Sequence, residues 1–291
     1  MTSGLIGLSS YALSTLQHSD TPNNTNTELK PEVKHYGAAT TITTLPDPGA
    51  NIGADGRRPA KSVTITTDGA DDVIKITKDK NNDLFAEING VSVKLDINET
   101  NQFGSQGTLF IDAGDGDNEV SIASDVKASV TIKTGNGADR VVTGGGFASV
   151  HLGAGRDNGV LGDGGGELYG EDDDDELFGG EGGSNHLHGG SGNNYLQSGR
   201  AGSRDQTTWI HAEGNEDKIV AYSTSTVNTK SEFTEITVEA DVETYINIDE
   251  SAGETITRAH VNDDKEPDNV TFTGRNEPPK DKFYPTRFLR S

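Results

Sequence analysis

Five consecutive nonapeptides decide the fold: "GNGADRVVT" (135–143), "GGGFASVHL" (144–152), "GAGRDNGVL" (153–161), "GDGGGELYG" (162–170) and "EDDDDELFG" (171–179). Read as G-x-G-x-D-x-U, with U a large apolar residue, the unit opens at Gly135, Gly144, Gly153, Gly162, Glu171, Gly180 and Gly190. The step is nine residues, with one extra residue near Gly183. Looser copies stand at "TDGADDV" (67–73), at "GDGDNEV" (114–120) with Asn118 in the Asp place, and at "GGSGNNYL" (189–196) with Asn194 there. A period this short and this regular is the signature of a solenoid, in which each unit adds one turn and one short strand.

Composition points the same way. Apolar residues make up 31% of the 291-residue chain and the formal net charge is -23, too little apolar surface and too much repulsion for an ordinary packed globule. The 37 glycines are clustered, as tight turns require. From Ser62 onwards, short runs alternate apolar and polar residues: "SVTITT", "DVIKIT", "TLFIDA", "SVTIKT", "TWIHAE" and "EITVEA". That alternation marks half-buried strands, and no stretch there has a helical period. The fold predicted is all-β, a right-handed parallel β-roll or β-helix over 62–250. Residues 1–61 read as a disordered leader and linker, with a helix possible over Leu5–Leu16, and 251–291 as a charged tail.

The nonapeptide resembles that of the repeats-in-toxin (hemolysin-type) family, whose G-G-x-G-x-D-x-U-x unit builds a calcium-binding parallel β-roll. Gly135–Leu196 carries the resemblance well, and the rest of the 62–250 body loosely. Two nonapeptides make one coil, so same-side turns recur every second repeat, about 4.8 Å apart like adjacent strands. On one side the Asp place holds Asp139, Asp157, Asp175 and Asn194; on the other it holds Ala148, Gly166 and Ser184. The resemblance implies calcium ions along the first edge, each shared by two turns. The implied ligands are Asp139, Asp157, Asp175 and Asn194, with Asp173 and the turn glycines Gly135, Gly137, Gly153, Gly155, Gly190 and Gly192. The second edge is expected to turn without metal.

The charges add a physical reason. Between Asp157 and Gly199 there are ten acids and no Lys or Arg. Carboxylates stacked about 5 Å apart repel by roughly 3 kcal/mol per pair at an effective dielectric of 20. A hard divalent cation relieves this in an all-oxygen environment. The competing reading is that the acids keep a surface charged and unaggregated. Glu171 and Asp173 occupy glycine positions, so their turn either holds a cation tightly or has its geometry spoiled.

Other classes find less support. Zinc lacks both Cys and an H-E-x-x-H motif. No G-x-S-x-G positions a nucleophile, so the reading leans away from an enzyme while leaving a Ser-His-Asp set open. A polysaccharide-active β-helix enzyme stays open through Arg140 and Arg156 beside Asp139 and Asp157, and an adhesin-like structural protein is the other alternative. The acidic balance argues against nucleic acid, and no apolar run approaches the ~20 residues of a membrane span. The strand pair around "EINGVSVKL" and the stacked turns are also similar to the non-catalytic front region of some bacterial secreted effectors. The expectation is therefore a secreted effector or toxin-related virulence factor whose folding depends on calcium, with a host protein or cell-surface component as partner. The Ser/Thr-rich start, without Lys or Arg before Lys30, favours a type III secretion route over type I.

Overall fold

In the computed structural model the described residues are 31–36, 40–46, 61–97, 107–200, 207–230, 233–239, 242–248, 256–261 and 270–273. They form two sheets that face each other across one long core, an all-β, right-handed parallel β-solenoid as the repeat predicts. No helix occurs among them, and none is long and apolar enough to cross a membrane.

The larger sheet runs Glu32–Tyr36, Thr40–Pro46, Lys61–Thr66, Thr108–Asp112, Ser129–Lys133, Ala148–Ala154, Gly166–Asp172, Asn185–Gly190, Thr208–Ala212, Ser225–Thr229, Thr244–Ile248, Val270–Thr273. The smaller runs Val91–Lys94, Leu84–Ile88, Val73–Lys78, Glu119–Ile122, Arg140–Val142, Asn158–Val160, Glu176–Phe178, Tyr195–Gln197, Glu216–Ala221, Phe233–Val238, Ile256–Val261. The chain visits the sheets in turn, so most pairs within each sheet are parallel. The exceptions lie at the N-terminal end. There Glu32–Tyr36 and Thr40–Pro46 pair antiparallel ahead of Lys61–Thr66, and Val73–Lys78, Leu84–Ile88 and Val91–Lys94 form an antiparallel meander.

Alternation of side chains sorts each strand into an inward and an outward set. In the larger sheet one inward column is apolar throughout: Ile65, Ile111, Ile132, Val150, Leu168, Leu187, Ile210, Val227, Ile246. Facing it, the smaller sheet contributes Val120, Val141, Leu177, Leu196, Ile219 and Ile236, all essentially buried. Gly159 interrupts that column because Leu168 and Leu152 fill its place; a Cβ there would lie 2.7 Å from Leu168 Cδ1.

Three expectations change. Strands at 32–36 and 40–46 fall in the stretch read as leader, where "TTITT" is too short a run to stand out but pairs with an existing strand. Strands at 256–261 and 270–273 likewise extend both sheets into the stretch read as tail. On the second turn edge, Asn185 and not Ser184 aligns with Ala148 and Gly166, because the extra residue precedes it. The helix expected over Leu5–Leu16 lies outside the described residues.

Candidate functional site

The turns that lead into the smaller sheet place one polar side chain per rung inside the solenoid. Asp72, Asn118, Asp139, Asp157, Asp175, Asn194 and Asp217 form a ladder, each at most 3% exposed. The linkage is uniform: each backbone N–H donates to Oδ1 of the next residue. The distances are 3.1 Å from Asp72 to Asn118, 2.7 Å from Asn118 to Asp139 and 2.7 Å from Asp139 to Asp157. They continue at 2.9 Å from Asp157 to Asp175, 3.0 Å from Asp175 to Asn194 and 2.8 Å from Asn194 to Asp217. A buried amide must find an acceptor, and here the next rung supplies it.

The second atom of each side chain divides the ladder. At Asn118, Nδ2 donates to the carbonyls of Gly114, Gly116 and Thr134, at 3.2, 2.9 and 3.1 Å. At Asn194 it donates to the carbonyls of Gly190 and Ser191. Asp217 closes the ladder with both oxygens used, Oδ2 accepting from Gly214 N. At Asp72, Asp139, Asp157 and Asp175 the second atom is instead a buried carboxylate oxygen, Oδ2, with no hydrogen-bond partner. Four rungs thus hold an acceptor where the amide rungs hold a donor.

Burial, an unpaired oxygen and a neighbouring carboxylate disfavour the ionised form. Burial raises Asp139 above the ordinary carboxylate range, and Asp157 to about 6. Asp175 is pushed up to about 8, chiefly by burial and further by Asp157, against the lowering effect of the N–H it accepts. A proton or a cation at Oδ2 would complete each of these rungs.

Glycine geometry frames the ladder. Gly135, Gly137, Gly153, Gly155, Gly190 and Gly192 all have positive φ, and a Cβ on Gly153 would lie 1.8 Å from the carbonyl oxygen of Gly135. Glu171 and Asp173 adopt the same left-handed conformation, each with φ 79°, so their turn keeps its shape despite the side chains. Both side chains are exposed, and Glu171 Oε1 lies 2.8 Å from His151 Nδ1. Asp173 therefore offers the interior only its backbone.

Asp139, Asp157, Asp175 and Asn194 are brought together as expected, but Asp72 and Asp217 were missed. The quoted unit at 67–73 slips by one: Asp71 is exposed and accepts from Asp117 N, whereas Asp72 is buried. Ile74, the first inward residue of its strand, marks the true register. Asp217 precedes the buried Ile219 by two residues, as Asp139 precedes Val141, but its rung is 23 residues long and escapes a search in steps of nine. On the opposite edge Asn185 closes its turn unaided, accepting from Gly180 N at 3.1 Å and donating to its carbonyl at 3.0 Å.

Arg140 and Arg156 do not meet the ladder. Both are exposed while Asp139 and Asp157 point inwards, so no Arg–carboxylate cleft forms there. The imidazoles of His151, His188 and His211 stack with Tyr169 in one outer column, at centroid distances of 4.4–4.6 Å. Burial beside His211 and His186 lowers His188 to about 4. Among the described residues no three His, Asp or Glu side chains are grouped to hold a metal, so a cation placed at the ladder would have to draw on backbone carbonyls. Comparison with models of protein families, with curated proteins and with solved structures returned no match.

Proposed function

We propose that this chain is a secreted calcium-binding β-solenoid of the repeats-in-toxin kind, an effector or toxin-related factor that completes its fold when it meets calcium. One observation carries the reading: the unpaired Oδ2 of Asp139, Asp157 and Asp175 in a ladder whose Asn rungs are satisfied by their own amides. The residues that would hold calcium are these carboxylates with the turn carbonyls around them. Calcium takes six to eight oxygens and is indifferent to whether they come from side chain or backbone. Asn194 already supplies its own donor, so its turn needs no ion. Millimolar calcium outside a cell, against low calcium inside, suits a chain exported before it folds. The polar start of the sequence supports a type III route, and a host protein or cell-surface component is the partner expected of such a factor.

The test is a calcium titration of the full chain at pH 7.5, followed by circular dichroism and thermal melting. Wild type is expected to gain β signal and melting temperature. The Asp157→Asn/Asp175→Asn double variant is expected to fold without calcium and to respond far less, since each new amide donates to the turn carbonyls. Each repaired rung recovers about 1–3 kcal/mol, the usual cost of an unsatisfied buried polar group. An absence of response in wild type up to about 10 mM, beyond the weak end of extracellular calcium sites, sinks the reading.

A further inference from the structure

We propose that the outer face of the smaller sheet is the interface of a homodimer, in which two copies of this chain pack face to face with their solenoid axes antiparallel. The observation that carries it is the order of charges along one outward column, one residue per rung. The column begins Glu119, Arg140, Asn158, Glu176. It continues Tyr195, Lys218, Glu235, Arg258. Taken in order its charges alternate in sign and cancel, three acids against three bases, in a chain with 47 acids and only 24 Lys and Arg. Glu119, Arg140, Glu176 and Lys218 are exposed. Glu176 stands between the neutral Asn158 and Tyr195, so the middle of the column does not neutralise itself from rung to rung.

A two-fold axis along the strands, passing between Glu176–Phe178 and Tyr195–Gln197, reverses the order of rungs and sets each column opposite itself. Arg140 then faces Glu235 of the second copy, and Glu119 stands opposite the Arg258 position. Asn158 faces Lys218, and Glu176 faces the phenol of Tyr195. Every contact joins opposite charges or an acceptor to a donor, and the symmetry makes each one twice. Sliding one copy by a single rung sets Glu119 against Glu235, or Arg140 against Arg258, so like charges reject the neighbouring registers.

Two further columns obey the same axis. Val142, Val160, Phe178, Gln197 and Val220 form a half-exposed strip beside the charges. Reversal lays Val160 on Val220 and Phe178 on Gln197. In the flanking turns a Cβ on Gly199 would lie 1.8 Å from the Gly180 carbonyl oxygen, so these glycines stack. The exposed Glu181 and Arg200 that follow them are therefore one rung apart, and reversal brings them together. Eight rungs at ~4.8 Å and about 15 Å of strand bury roughly 1,000 Å² in all, the low end of specific interfaces. Other occupants find less to hold. A polyion of either sign gains little from a column whose charges cancel. A peptide would seek the free backbone of a sheet edge, but the strands from Arg140 to Gln197 are paired on both sides. None of these residues belongs to the aspartate ladder, so the proposal stands apart from the calcium reading.

Sedimentation velocity of the full chain in calcium-containing buffer, from about 1 to 300 μM, tests it. The expected result is a monomer–dimer equilibrium with a Kd below about 100 μM, weakened about tenfold or more by Arg140→Glu alone and by Glu235→Arg alone. An equimolar mixture of those two variants is expected to recover the wild-type association, because their heterodimer holds one native and one reversed pair, both of opposite sign. Circular dichroism verifies the fold of each variant. Should Glu235→Arg unfold, Glu181→Arg and Arg200→Glu, both in turns, supply the same comparison of single and mixed variants. A chain that stays monomeric to about 300 μM leaves this face to another partner and overturns the proposal. So does a dimer that the single reversals leave intact, or a loss that mixing them does not restore.

Discussion

Asp175 and Asn194 occupy successive places in one ladder, and the difference between them is a single atom. Where Asn194 offers Nδ2 to the turn carbonyls, Asp175 offers a bare oxygen, and burial pushes its carboxyl up to about 8. The consequence for pH follows from proton counting. Between about 3.9, the unfolded value, and the raised folded values, the native chain binds more protons than the unfolded one. Stability from these groups is fully present below the unfolded pKa and is lost as pH rises through about 6 for Asp157 and about 8 for Asp175. In chelator, the melting temperature is therefore expected to fall from pH 5 to pH 8. Excess calcium is expected to remove most of that slope by taking the proton's place. A melting temperature that rises over this interval in chelator would contradict the assignment of Oδ2 as unpaired.

At the scale of the turn and strand, the nonapeptide was legible because eighteen residues make one rung from Asp139 to Asp175. It became illegible where loops lengthen the rung: 21 residues separate Asn118 from Asp139, and 46 separate Asp72 from Asn118. The donor-or-acceptor distinction within the ladder was also hidden, since Asn and Asp read alike in a ligand motif until their second atoms are placed. The positive φ of the turns yields a paired prediction. Gly153→Ala meets the Gly135 carbonyl and is forced into the left-handed region, so it is expected to destabilise by roughly 2–5 kcal/mol, from overpacking and strain together. Asp173→Gly acts in the opposite direction. It relieves a left-handed residue of about 1–2 kcal/mol of strain, against about 0.5–1 kcal/mol of added chain entropy in the unfolded state. A net gain of about 0.5–1 kcal/mol in denaturant melts is expected, whereas a loss would show that the Asp173 side chain contributes to the turn.

For the whole molecule, a solenoid's stability is approximately a sum over rungs and their interfaces, so it need not be uniform along the axis. The N-terminal rungs carry the β-branched core Ile65, Ile74, Ile76, Ile111 and Ile132, and antiparallel strands continue both sheets beyond them. The rungs from Arg140 to Gln197 have three-residue strands in the smaller sheet, a glycine at 159 in the core, and both Asp157 and Asp175 in the ladder. The central rungs thus have the shorter strands in the smaller sheet and hold the carboxyls that burial raises furthest. In chelator at pH 8, amide hydrogen exchange is expected to be faster at Leu152, Leu168, Leu177 and Leu196 than at Ile65, Ile74, Ile111 and Ile132. Either calcium or a shift to pH 5, with rates corrected for intrinsic exchange, is expected to narrow that gap, because each neutralises the same oxygens. If the centre and the N-terminal rungs instead exchange together in chelator, the solenoid opens as one unit, and the ladder does not set where it opens first.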